Sequence, residues 1–124
     1  MSTILRIYDL DAWKLARALR MSVTTYAKSF PANEKYLLED QLLRSVRSIS
    51  ANIAEGFGRY HHKESAQYYR QAKGSLIETA DHLICAYDEK YLSKTDLKHL
   101  LDQIEECGRV LNGLIRYQSQ RAKK

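Results

Sequence analysis

The chain has 124 residues, enough to bury one core without disulfide or metal staples, so it reads as a single domain over 1–124. One proline and five glycines are too few turn residues for an all-β fold of this length, and the 28% of charged residues suits amphipathic helices. The net charge of +5 is segregated, with +4 over 44–74, −5 over 75–106 and +5 over 107–124; such blocks mean either a basic face for an anionic partner or opposite charges pairing between antiparallel helices.

Periodicity predicts helices over roughly 10–29, 32–58, 62–90 and 95–118. In the first, Asp9 or Asp11 is available as a cap, and Trp13, Ala16, Leu19, Val23, Tyr26 and Phe30 recur at helical spacing. Ser29-Phe30-Pro31 ends it and places proline at the start of the next helix, where its missing N–H costs nothing. That second helix shows Leu38, Leu42, Val46, Ile49, Ile53 and Phe57, and Gly58-Arg59-Tyr60-His61 forms a tight connection. The third presents Tyr69, Ala72, Leu76, Ala80, Leu83 and Tyr87, and Ser93 or Thr95 caps the fourth. There Leu97, Leu100, Ile104, Cys107, Leu111 and Leu114 alternate in steps of three and four, a heptad seam. Short connections make neighbours antiparallel, so the expected fold is an all-α, up-down-up-down four-helix bundle, with a fraying basic tail at 119–124. No apolar run of about 18 residues and no secretory leader is present; together with the isolated Cys85 and Cys107 this gives the expectation of a cytoplasmic protein with reduced thiols and no membrane partner.

Asn52-Ile53-Ala54-Glu55-Gly56-Phe57-Gly58-Arg59 and Gly74-Ser75-Leu76-Ile77-Glu78 stand out, because glycine inside a helix costs about 1 kcal/mol relative to alanine. With Asp11, Trp13, Phe30-Pro31, Gln41-Leu42, Arg44, Ser48-Ile49, Glu64, Ala86 and Tyr91-Leu92, these blocks resemble the bacterial four-helix-bundle family named after proteins encoded in intervening sequences of 23S ribosomal RNA genes. The resemblance spans residues 9–116. It departs at His61, where a capping Ser or Thr is usual, and at Ser65, where a bulky apolar residue is common. It implies a homopentameric ring, and a related branch, the accessory variability proteins of diversity-generating retroelements, implies nucleic acid and a reverse transcriptase as partners.

Asn52 and Glu55 share one helix face, as do Ser75 and Glu78, so antiparallel packing about the 58–61 turn can bring the pairs together. With Gly56, Gly58 and Gly74 they form a candidate polar junction: its members satisfy one another or Arg44 or Arg59 and fix register, or they hold a ligand. The spacing of His82, Cys85 and Cys107 supplies too few ligands for zinc, and Glu78 and His82 miss the Glu-x-x-His step of di-iron bundles, so no metal and no cofactor are expected. Cys107 falls on the apolar seam, and no nucleophile elbow, phosphate loop or dinucleotide fingerprint occurs, which argues against an enzyme.

The remaining functional signal is basic. Arg44, Arg47, Arg59, Lys63, Arg70 and Lys73, interleaved with Tyr60, Tyr68 and Tyr69, and then Arg109, Arg116, Arg121, Lys123 and Lys124 beside Tyr117, offer phosphate contacts and stacking platforms. Tyr36, Tyr68, Tyr91 and Tyr117 lie off or at the edge of the apolar stripes and point to a subunit interface. The expected function is a non-catalytic basic scaffold for RNA or other nucleic acid. The alternatives are an adaptor docking an acidic partner, such as a reverse transcriptase, or a purely structural ring.

Overall fold

Describing residues 6–123, the computed structural model comprises α1 (Asp11–Ala27), α2 (Leu38–Phe57), α3 (His62–Asp88) and α4 (Lys94–Ala122). Short 3-10 turns at Ile7–Asp9 and Ala32–Glu34 precede α1 and α2. α1 and α3 occupy opposite corners, each packed against both α2 and α4. Ser45 meets Thr79, Ser48 meets Ser75, and Gly56 meets Ser65 and Tyr69, the falling order that antiparallel helices require. Leu19, Val23, Leu42, Val46, Ile49, Ile53, Leu83, Leu100, Cys107 and Leu111 are buried along the axis, so the chain is an all-α four-helix bundle.

Local chemistry sets the ends, and it corrects several expectations. Neither Asp9 nor Asp11 caps α1; the N-cap is Leu10, which has no side-chain acceptor. Asp9 instead accepts from Arg6 Nε at 2.9 Å inside the first 3-10 turn, and Asp11 is the first helical residue. α2 begins at Leu38 rather than at 32. Pro31 leads only into the 3-10 turn, and Leu37, at φ −118° and ψ −107°, separates that turn from the helix. Glu34 bridges the break: one carboxylate oxygen accepts from the Leu38 N–H at 3.4 Å, the other from the Tyr91 hydroxyl at 2.7 Å. Tyr91 also packs on Phe30, ring centroids 5.3 Å apart. It thus acts as a strut within the chain, with its hydroxyl held protonated up to about 12 by the bond to Glu34.

α3 runs 27 residues, about 40 Å. Its inner face carries Tyr69, Ala72, Leu76, Thr79, Leu83 and Ala86, whereas Ala80 is half-exposed and Tyr87 exposed. The expected stripe is rotated because Thr79 finds a partner inside, donating to Ser45 Oγ at 2.9 Å. α3 stops at Asp88. Lys90 takes a left-handed φ of 69°, the Tyr91 N–H reaches the Ala86 carbonyl at 2.8 Å, and the Lys90 N–H reaches Tyr87 at 2.9 Å. Ser93, not Thr95, caps α4, accepting from the Asp96 N–H at 3.1 Å. α4 continues to Ala122, so the expected fraying tail is helical. α3 steadies it: His62 hydrogen-bonds Gln118, and Arg70 Nη2 donates to Ser119 Oγ at 2.7 Å.

Candidate nucleic-acid interface

At the α2–α3 junction the polar side chains divide by depth. Asn52 Nδ2 donates to the Ser48 carbonyl at 2.9 Å and to Ser48 Oγ at 3.0 Å, and Ser48 Oγ lies 2.8 Å from Ser75 Oγ. With the Thr79–Ser45 bond this forms a short hydroxyl ladder between the two helices, each bond contributing on the order of 1 kcal/mol. Glu55 and Glu78 take no part in it. Their side chains are more than half exposed; Glu55 accepts from Arg59 Nη2 at 2.9 Å, and Glu78 lies 3.1 Å from His82 Nε2. The expected four-membered cluster is therefore an Asn52–Ser48–Ser75 network with both carboxylates on the surface. Carboxylates keep their hydration there, and burial would cost each several kcal/mol.

The glycines separate in the same way. A Cβ on Gly56 would stand 2.6 Å from Tyr69 Cε1 and 3.0 Å from the Ser65 carbonyl oxygen, so glycine is what lets α2 touch α3. Ser65, small and buried, belongs to the same contact. Gly58 sits at a right-handed φ of −81°, and Gly74 faces open space with nothing within 4 Å of a Cβ, so neither is demanded by the fold.

The basic residues do not form one surface. Arg59 is fully employed at the turn: it pairs with Glu55 at 2.9 Å and Glu64 at 4.0 Å, stacks 4.6 Å over the Tyr68 ring, and donates to the Tyr68 hydroxyl at 2.8 Å. Arg44 pairs with Asp40 at 3.2 Å. Arg47 is exposed on α2, one turn from Ser50, which accepts from Arg20 of α1 at 2.8 Å. Arg121 stacks 4.8 Å over Tyr117. Lys124 lies outside the described residues.

What the fold does gather lies between α3 and α4. Lys63, Arg70 and Lys123 line one shallow groove near the α4 C-terminus. Lys73, Arg109 and Arg116 line a second, of about 480 Å³, with Leu76, Ile77, Ile104, Gly108 and Asn112 between them and Glu105 at one side. From the level of Ala80 back to Lys63 this strip extends about 25 Å along α3, at 1.5 Å per residue. None of its cations has an acidic partner among the described ion pairs. Those pairs are within single helices or turns, except Arg59–Glu64, which spans the α2–α3 turn. The charge blocks therefore do not neutralise each other across helices. Residues 75–106 form the α3–α4 hairpin, so their acids collect at its turn end, and the basic ends of α3 and α4 lie together at the other.

Of the tyrosines expected as stacking platforms, Tyr69 is buried, with its ionisation pushed up to about 12, and Tyr68 is already covered by Arg59. Tyr60 is 92% exposed, its ring edge-on to that of His61 with centroids 5.1 Å apart. Burial pushes the Cys107 thiol up to about 11 and also raises that of Cys85, where Glu89, Asp81 and Asp88 add to the effect. No group of three or more His, Cys, Asp or Glu among the described residues is placed to hold a metal, and no described helix is long and apolar enough to cross a membrane.

Spacing alone did not single out the hydroxyl ladder or the groove. Ser45, Ser48 and Asn52 recur at three and four on α2, and Ser75 and Thr79 four apart on α3, a periodicity of small polar residues that could have been matched. Gly108 and Asn112 sit four apart on α4 beside the basic positions and carry the same kind of signal.

Residues 8–113 match the family model described as 23S rRNA-intervening sequence protein. The fold is similar to the crystal structure of a protein with unknown function from the S23 ribosomal protein family of Bacteroides thetaiotaomicron VPI-5482. That likeness has a TM-score of 0.78 at 19% identity and covers 85% of this chain and 95% of that one. No curated protein matches the chain.

Proposed function

The chain belongs to the 23S rRNA-intervening sequence protein family, and from that premise we propose that it is a non-catalytic, cytoplasmic basic scaffold that binds RNA or other nucleic acid through phosphate contacts. One observation carries the reading: the cations of the α3–α4 strip lie together without acidic partners among the described ion pairs, while Arg44 on α2 and Arg59 at the α2–α3 turn are paired or stacked and Arg47 stands exposed on α2 apart from the strip. Unpaired arginine and lysine along one helix pair can displace the counterions of a polyanion, which gives affinity without sequence choice. Assembly as a homopentamer belongs to the same reading. Tyr36 and Leu37, 81% and 60% exposed, and Tyr117, 49% exposed, support a subunit contact, and five copies would bring the charge to about +25.

The test is a titration of labelled single-stranded RNA at several salt concentrations, on protein whose mass has been fixed by light scattering. Binding should weaken steeply with salt, with a slope of about −0.7 in log–log form for each phosphate neutralised. Lys73→Gln and Arg116→Gln should each make that slope shallower by about 0.7, whereas Arg44→Gln and Arg59→Gln should leave it nearly unchanged. Absence of binding at low salt would discard the nucleic-acid reading and leave an acidic protein, such as a reverse transcriptase, as the partner to seek. A monomeric mass would discard the ring.

A further inference from the structure

The groove between Lys73, Arg109 and Arg116 is not built for phosphate alone, and we infer that it seats an unpaired nucleobase of single-stranded nucleic acid; this rests on the nucleic-acid reading above. Its floor is apolar. Leu76 and Ile104 form it and Ile77, 61% exposed, stands at the edge, a surface that a phosphate oxygen would only dehydrate against. Gly108 keeps that floor open: a Cβ there would already lie 3.3 Å from Leu76 Cδ2, and any larger side chain would enter the space a ligand needs. The opening of about 480 Å³ is lined by three cations, Lys73, Arg109 and Arg116, together with Glu105, so an apolar body carrying anionic groups beside the cations is the matching chemistry.

A base within its own strand has that form. It is planar and apolar on its faces, polar at its edge, and flanked by phosphates. Arg109 and Arg116 can stack on a base face or take the neighbouring phosphates, and Asn112, between them on α4, offers an amide donor and acceptor to the base edge. Glu105 repels phosphate from its side of the groove, which leaves the Lys73–Arg116 side for the backbone, and its carboxylate accepts from an exocyclic amino group. A duplex cannot offer such a base without unpairing and unstacking it. The groove therefore selects single strands over duplexes, a preference that phosphate contacts by themselves would not create.

Three ligands test this against the full-length protein at low salt: a single-stranded RNA of about a dozen nucleotides, the same backbone with abasic sugars throughout, and the strand in a duplex. The intact strand should bind at least about fivefold tighter than the abasic one, the lower end of what stacking one base supplies. Ile77→Ala, which lowers the wall, and Ala80→Leu, which fills the groove from a half-exposed position, should each erase that difference without changing abasic-strand affinity or the salt slope. Thermal melts of both variants check that they fold. Equal affinity for intact and abasic strands, or tighter binding of the duplex, would overturn the base seat and leave the phosphate reading standing. Failure to bind any of the three at low salt would overturn both.

Discussion

Gly56 and Gly74 look equivalent in the sequence, each a glycine inside a helix beside a polar residue, yet their surroundings give opposite expectations. At Gly56 the nearest atoms belong to the Tyr69 ring, 2% exposed and fixed by the core, and to the Ser65 backbone. Gly56→Ala must push α2 and α3 apart or turn that ring, and overpacking of this kind costs about 1–3 kcal/mol. At Gly74 a methyl group meets nothing, so Gly74→Ala should stabilise by about 1 kcal/mol through helix propensity alone. Urea unfolding of both variants checks the pair: the midpoint should fall for the first and rise for the second. A fall for both would show that Gly74 is covered by another subunit, since the single chain leaves its Cβ position empty.

Among the elements, the α3–α4 hairpin depends on a residue ill suited to its place. Lys90 occupies the left-handed position that usually holds glycine after a helix, and both closing hydrogen bonds require it there. Lys90→Gly should raise stability by about 1 kcal/mol, read as a higher urea midpoint with an unchanged slope, and a loss would mean that the lysine side chain contributes to the turn. The strain is invisible in the sequence, where Tyr91-Leu92-Ser93 marks a break but no residue announces a positive φ. What the sequence does carry is the interior of each helix, because a 3.6-residue period in apolar residues is a property of the helix itself. The ends were not legible. α2 starts late because Glu34 turns to Tyr91, fifty-seven positions on, and α4 runs on because His62 and Arg70 hold it from another helix. Glu55 stays out of the polar junction for a geometric reason: neighbours along a helix differ by about 100°, so placing Gly56 at the contact turns Glu55 away to solvent. The basic residues were all visible as a set, but which of them lie free between α3 and α4 depends on pairing that only the packed helices reveal.

For the whole molecule, the folding of residues 75–106 back on themselves makes the bundle electrically uneven from end to end. Acids collect around the α3–α4 turn, and the basic strip begins near the middle of α3 and runs to its other end. Asp88 and Glu89, at the C-terminal end of α3, lie about 23 Å along the helix direction from Lys73, beyond any direct contact with a ligand in the groove. Their field still reaches it at 0.01 M salt, where the screening length is about 30 Å, and hardly at all at 0.1 M, where it is about 10 Å. Neutralising them together, as Asp88→Asn with Glu89→Gln, should therefore tighten RNA binding a few-fold at the lower salt and leave it unchanged at the higher. The same measurement on Lys73→Gln should show a loss at both, because that side chain would touch the phosphate. If the acidic-end variant gains affinity at 0.1 M as well, the RNA passes over the α3–α4 turn and the interface is larger than the groove. If it gains at neither, binding is governed by local contacts and the end-to-end polarity serves some other encounter, such as the approach of a second subunit.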